Sequence, residues 1–226
     1  MRNGFAIMGT IAEVTMLNAP AWAQNDATDH AHGHAHAHDH DHAHGDEADR
    51  RVHDGYFEDA DIRDRSLSDW QGEWQSVYPL LANGALDPVI THKAETGDKS
   101  AGEYRAYYDT GYRTDVDRVV IEGDQVTFHR GDRFVQGRYA SDGFAVLTYA
   151  KGNRGVRFVF EKTSGDAEAP QVIQFSDHII APQASDHFHL YWGDDRAALL
   201  NELTNWPTYY PAALDADDIV AKMLAH

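Results

Sequence analysis

The chain predicts a mainly β fold with added helices: an antiparallel β-barrel carrying a helical insertion and C-terminal helices. Three observations lead there. After Thr114 the sequence becomes a series of short β-rich runs. Those runs are punctuated by Gly-bearing turns at Glu122-Gly123-Asp124, Arg130-Gly131-Asp132, Ser141-Asp142-Gly143 and Lys151-Gly152-Asn153, which join neighbours in up-and-down order. Helical patterning is confined to the stretches before and after that series.

Taken from the start, Met1-Arg2-Asn3 is followed by a mostly apolar run from Phe5 to Leu17, interrupted by Glu13, and then by Ala21-Trp22-Ala23. A basic start, a short apolar stretch and a small-x-small site describe an export signal cut after Ala23. The apolar run is too short to stay in a bilayer as a spanning helix. Next comes a low-complexity stretch in which His30, His32, His34, His36, His38, His40, His42 and His44 alternate with Ala, Gly or Asp. With almost no bulky apolar side chain it buries no core, so it is expected to be disordered without metal. Its rings are mostly neutral at pH 7 and able to ligate. The expected organisation is an export signal at 1–23, a His-rich metal-binding arm at 24–52, and one folded domain at 53–226.

Within the domain, Gly72-Glu73-Trp74 enters an apolar run that supplies a first strand, and Pro79–Ala82 and Pro88–Tyr108 form short helices. Tyr104, Tyr107 and Tyr108 share a helical face and are expected in the core. The strands that follow are Val116–Ile121, Gln125–Arg130, Arg133–Tyr139, Phe144–Tyr149, Val156–Glu161, Val172–Ile180 and His187–Trp192. With the one near Trp74 that makes about eight, enough to close a barrel and leave no exposed edge. Asp194 or Asp195 caps a helix over Arg196–Leu203, Pro207 and Pro211 break the chain, and Asp215, Asp217 and Asp218 open a last helix through Leu224.

Composition narrows the function. The formal net charge is −18, which disfavours nucleic acid and anionic membrane as partners and suits a protein that collects cations. There is no cysteine, so a bound metal must be held by His, Asp or Glu. The stretch from Gln171 to Trp192 offers such a set. His187 and His189 are two apart and share a face of a strand. If the preceding loop closes symmetrically, His178 lies across from His189, and three imidazoles converge on one point. That is the ligand set of a tetrahedral Zn²⁺ with one open position. Asp177 and Asp186 either orient the ring N–H groups or are solvated hairpin residues.

Several strings here resemble a known family. Leu67-Ser68-Asp69-Trp70, Trp74-Gln75-Ser76-Val77-Tyr78-Pro79-Leu80-Leu81, Gln174-Phe175-Ser176-Asp177-His178-Ile179-Ile180-Ala181-Pro182, His187-Phe188-His189 and Asn205-Trp206-Pro207-Thr208-Tyr209-Tyr210-Pro211 are similar to the bacterial ZinT (YodA) zinc-binding proteins, over roughly Gly55 to His226. The resemblance implies a lipocalin-like, calycin-type barrel, exported to the periplasm. It implies Zn²⁺, and also Cd²⁺, on His178, His187 and His189, and zinc scavenging under shortage. The implied partner is the solute-binding subunit of a zinc ABC transporter. Relatives in that family carry a barrel disulfide that this cysteine-free chain lacks.

His129 is expected to be a satisfied strand residue, and His53, His92 and His226 to face solvent near element ends. Any of these, an arm histidine or Glu73 is a candidate fourth ligand. Ni²⁺, Co²⁺ and Cu²⁺ also suit histidine sites. The chain is expected to be a monomer without enzymatic activity. Two other functions fit parts of the pattern: a mononuclear zinc enzyme of hydrolase or hydratase type, and a carrier of a small apolar ligand inside the barrel. Histidines facing inward would suit the last one badly.

Overall fold

The computed structural model describes residues 47, 50–150, 152–201 and 203–225. The expected export signal, the arm histidines His30 to His44 and His226 lie outside them. Among the described residues, eight antiparallel strands close on themselves: β1 (Gly72–Ser76), β2 (Arg118–Glu122), β3 (Gln125–Arg130), β4 (Arg133–Thr148), β5 (Arg154–Gly165), β6 (Val172–Ser176), β7 (Phe188–Gly193) and β8 (Thr208–Pro211). Each pairs with the next, and β8 returns to β1 through Trp74↔Pro211 and Gln75↔Tyr210.

The helices are α1 (Tyr78–Ala82), α2 (Asp87–Thr96), α3 (Ala101–Tyr112), α4 (Arg196–Leu199) and α5 (Ala216–Ala225). Their starts follow local chemistry. Ser100 and Glu103 form a reciprocal capping box at α3, and Asp195 accepts from the Ala197 and Ala198 amides at α4. Asp217 and Asp218 sit in the first turn of α5, where acids meet the positive end of the helix dipole. No helix among the described residues is long and apolar enough to cross a membrane.

Two cores result. Inside the barrel, Trp70, Phe128, Phe158, Phe160, Phe175 and Phe188 are each no more than 2% exposed. Trp70 stacks on Phe175 at 4.6 Å and Phe175 meets Phe188 edge-on at 5.1 Å. Each such side chain contributes about 1.5–3 kcal/mol by leaving water. The lumen is a packed interior. The second core lies on the outer wall, where Leu81, Val89, Ile90, Tyr112, Ile219 and Met223 gather around Tyr210 of β8. Helices α1, α2, α3 and α5 thus form a layer against one side of the barrel.

The structure differs from the sequence expectation in several places. Arg133–Tyr139 and Phe144–Tyr149 are one long strand. Its register against β5 slips by one residue between Ser141 and Phe144, so Ser141-Asp142-Gly143 is a bulge with Gly143 at φ +74°, where a hairpin turn was expected. The eighth strand is instead Thr208–Pro211, which reads as a break because of its prolines. Pro207 and Pro211 fall at the strand's ends, where a missing N–H interrupts little of the ladder. The helix expected over Arg196–Leu203 stops at Leu199. Tyr104 is buried as expected, but Tyr107 is 48% exposed.

Candidate metal centre

The site forms where β6 and β7 end. β6 stops at Ser176, whose partner is His189, so His178 does not sit across from His189 on a ladder. The register is shifted by two residues from a symmetric hairpin, and His178 has already left the strand. It adopts φ +63°, the only positive φ at a non-glycine among the described residues. Such left-handed positions persist where the surroundings impose them, often at functional sites.

Here the surroundings are a buried clamp. Arg65 donates to Asp177 Oδ1 at 2.6 Å, to the Ile179 carbonyl at 3.2 Å and to the Gln183 carbonyl at 2.8 Å. Its guanidinium lies 4.0 Å above the Trp70 ring, and Trp70 Nε1 donates to Asp177 Oδ2 at 3.1 Å. Asp177 also accepts from the Ile179 amide. Asp177 therefore fixes the loop and does not orient a histidine ring. Only Asp186, of the two acids considered, contacts a histidine.

His187 and His189 flank Phe188, which points into the barrel with Leu190 and Trp192. By strand alternation His189 faces outward, toward the helical layer. The expectation of imidazoles facing the lumen is thus overturned: the aromatic side chains fill the inside and the histidines occupy the outer wall. The cavity they line lies between the barrel and α2, α3 and α5, with Val89, Tyr112, Tyr210 and Met223 among its walls.

The three rings are mutual neighbours. Centroid separations are 6.0 Å for His178–His187, 5.8 Å for His178–His189 and 6.1 Å for His187–His189. One ligand nitrogen from each lies within 4.8 Å of the others. A tetrahedral zinc with bonds of about 2.0–2.1 Å needs nitrogens about 3.3 Å apart, so small ring rotations close the set.

Hydrogen bonds select the ligating atom. His178 Nδ1 is 3.2 Å from the His53 carbonyl, His187 Nδ1 is 2.9 Å from Asp186 Oδ1, and His189 Nδ1 is 2.8 Å from Thr208 Oγ1. A carbonyl and a carboxylate only accept. The Thr208 hydroxyl donates to the Trp206 carbonyl at 3.0 Å, so toward His189 it accepts. All three Nδ1 atoms thus carry the proton, which makes Nε2 the ring nitrogen able to ligate a metal.

Electrostatics agree with a neutral ligand set. Burial, then the neighbouring His178, His187 and Arg157, hold His189 well below the ordinary histidine pKa. Burial raises Tyr112 well above the tyrosine range, and Tyr108 to about 12. Burial and Asp186 raise Tyr210 as well. In the metal-free protein these phenols stay protonated at neutral pH. The cavity measures ≈ 160 Å³, below the roughly 300–1,000 Å³ of pockets for drug-sized molecules.

Other candidates fall elsewhere. His53 stacks on His178 at 4.4 Å and lines the cavity, so it is part of the site's surroundings. His129 lies on β3 beside Arg118 and Phe134. His92 lies on α2, and Glu73 pairs with Arg118 on β2. None of these three lines the cavity. Sequence reasoning missed Arg65 and Thr208. Thr208 belongs to a segment that read as a break, so nothing local marked it as a partner of His189.

A family model described as ZinT (YodA) periplasmic lipocalin-like zinc-recruitment matches residues 48–226. The chain belongs to the ZinT (YodA) family. The barrel and its helices are that family's lipocalin-like fold. Among relatives, the probable metal-binding protein YrpE of Bacillus subtilis is 52% identical over 182 residues, covering 80% of this chain and 72% of that protein. The zinc-binding lipoprotein AdcA of Streptococcus pneumoniae is 47% identical over 182 residues, covering 80% of this chain but 36% of AdcA. This ZinT-family chain therefore spans little more than a third of AdcA's length. The Zn(II)-bound ZinT-like domain of that AdcA superposes with a TM-score of 0.74 at 47% identity, covering 76% of this chain and 97% of the domain. Zn(II)-bound AdcA itself gives a TM-score of 0.75 at 48% identity, over 77% of this chain and 38% of AdcA.

Proposed function

We propose that this ZinT-family chain is an exported zinc-scavenging protein that binds one Zn²⁺ through His178, His187 and His189 and passes it to the solute-binding subunit of a zinc ABC transporter. The observation that carries the reading is the clustering of the three rings: one ligand nitrogen from each lies within 4.8 Å of the others, and each Nδ1–H meets a protein acceptor. Neutral imidazole suits zinc, and a fourth position stays open for water, substrate or a transfer partner. Cd²⁺ is a second cargo. Ni²⁺, Co²⁺ and Cu²⁺ compete at a histidine site, with Cu²⁺ tightest. The export signal at 1–23 delivers the chain to the periplasm. The arm at 24–52 gathers metal on His30 to His44 and raises its local concentration around the domain at 53–226. Relatives named as metal-binding and zinc-binding proteins support this role.

The protein is not an enzyme in this reading. Three histidines and an open position would also suit zinc hydrolysis, but that chemistry needs a tuned acid or base beside the metal. The tyrosines lining the cavity are pushed away from neutral pH, and the cavity is small for an organic substrate. An apolar ligand inside the barrel is disfavoured because aromatic side chains fill it.

The test is a chelator-competition titration of zinc against wild type and a His187→Ala/His189→Ala variant. It is followed by transfer of zinc from the loaded protein to the isolated transporter subunit. Loss of the tight site in the variant and direct transfer in wild type are expected. An unchanged tight site in the variant would overturn the ligand assignment.

A further inference from the structure

Of the histidines that line the cavity, His53 is the one outside the ligand set. Residues 50–53 are helical, and the chain just beyond them is fastened to the barrel. Gly55 is buried at φ +86°, and the Arg154 amide donates to its carbonyl at 3.1 Å. A Cβ at Gly55 would fall 2.4 Å from the Arg154 carbonyl, so the close approach needs a glycine. Arg154 Nη1 also donates to the carbonyl of Phe57 at 2.9 Å, and Phe57 packs into the barrel core. These contacts hold His53 at the cavity. There its carbonyl lies 3.2 Å from His178 Nδ1, and its ring stacks on His178 at 4.4 Å with 27° between the planes.

Exposure gives the cavity a direction. The His53 side chain is 40% exposed, and His178 is exposed as well. His189 is half-buried, and the His187 side chain is only 8% exposed and stacked on Tyr210 at 5.2 Å. His53 and His178 therefore stand at the mouth, with the other two rings deeper. An ion arriving from solvent meets the mouth first. His53 does not complete the coordination of an ion already held by His178. An imidazole binds a metal in the plane of its ring, and two nearly parallel stacked rings keep their donor directions in separate planes. An ion on His53 thus occupies its own position, one ring stack away from the three-histidine set.

We propose that His53 is a transfer ligand at the mouth of the cavity: it takes zinc first on its own imidazole, passes the ion to His178, His187 and His189, and receives it again on the way out. Zinc gains one nitrogen as it sheds a water or another nitrogen, so no step returns it to full hydration. The arm histidines end shortly before His53 in the chain, so ions gathered there are tethered close to this entry point. A ligand used only in passage lowers the barrier equally in both directions. It therefore changes capture and release by the same factor and leaves the equilibrium affinity where it was. The inference rests on the histidine site holding the metal.

The experiment uses the full chain in stopped flow at about pH 7.5, near which unperturbed imidazole is mostly neutral. Capture is followed by mixing metal-free protein with zinc chloride and a fluorescent zinc indicator. Release is followed from the zinc-loaded protein as the indicator is raised, with rates extrapolated to zero indicator. Affinity comes from indicator competition at equilibrium. His53→Phe keeps a ring on His178 and the backbone carbonyl but removes the donor nitrogen; His53→Leu removes the stack as well. In both variants capture and release are expected to slow together, by about tenfold, with affinity unchanged. Wild-type rates in His53→Phe would overturn the proposal. Weaker affinity through faster release alone, in both variants, would also overturn it, because that marks a ring that only props His178. A wild type without a tight zinc would instead remove the histidine site on which the inference stands.

Discussion

Arg65 Nη1 and Asp177 Oδ1 meet at 2.6 Å with both side chains wholly buried, and this pair sets the backbone from which His178 projects. Removing one partner leaves the other charge unpaired in the interior, a loss of about 3–5 kcal/mol. Asp177→Ala and Arg65→Ala are each expected to lower the unfolding free energy by that order, seen as a lower urea midpoint, and to weaken zinc binding by releasing the His178 loop. Denaturation curves and zinc competition on the same samples check this. Full stability with normal affinity would show that the clamp is dispensable.

Thr208 sits beneath His189 as the acceptor for its Nδ1–H. Thr208→Val preserves shape but leaves that N–H buried without an acceptor. Loss of such an orienting partner costs about 10–100-fold in metal affinity, and that drop is expected here with all three ligands still present. Asp186→Ala is expected to act in the same direction through His187, but more weakly, because Asp186 is 56% exposed and partly shared with Lys222.

The arm and the barrel site separate by stoichiometry. Deleting residues 26–50 is expected to remove only weak, additional zinc equivalents, while His187→Ala/His189→Ala removes the tight one. Isothermal titration of both proteins distinguishes the two classes. A tight site that vanished with the arm would place the primary ligands there.

Acid should destabilise the metal-free protein through His189. Burial lowers its folded-state pKa below the ordinary 6.5, so the unfolded chain takes up the proton first. The stability it contributes is present above that value and is lost as pH falls below it, toward the folded pKa. Zinc binding weakens over the same range as protons compete for imidazole. Urea midpoints in chelator at pH 7.5 and 5.5 are expected to fall less for His189→Gln than for wild type. Equal falls would mean that the ring does not carry this term.

Hydrolytic activity is the remaining discriminator. The zinc-loaded protein is expected to show no esterase or CO₂-hydration rate above that of free zinc. Saturable turnover lost with His178→Ala would move the site into catalysis.

Residue identity and spacing alone determined much of this. The Gly-bearing turns at Gly123 and Gly131 announced the β2–β3–β4 meander, the acids at Asp194 and Asp195 announced a helix start, and the absence of cysteine restricted any metal to histidine and acid. The strings shared with the ZinT family pointed to the barrel before any coordinate did. These signals are local, or are carried by runs long enough to survive one uncertain residue.

Facing and partnership were decided only by the tertiary structure. A bulge at Gly143 costs a strand in the count, and closure through Thr208–Pro211 restores it, because a ladder's extent depends on the neighbour it finds. His178 reaches its companions through a left-handed residue held by Arg65, more than a hundred positions earlier in the chain. His189 owes its proton position to Thr208, a strand that sequence alone reads as a break. Period-2 alternation says that Phe188 and His189 face opposite ways. Which of the two faces is the inside depends on where Trp70, Phe158 and Phe175 pack, and that is settled only when the whole sheet has closed around them.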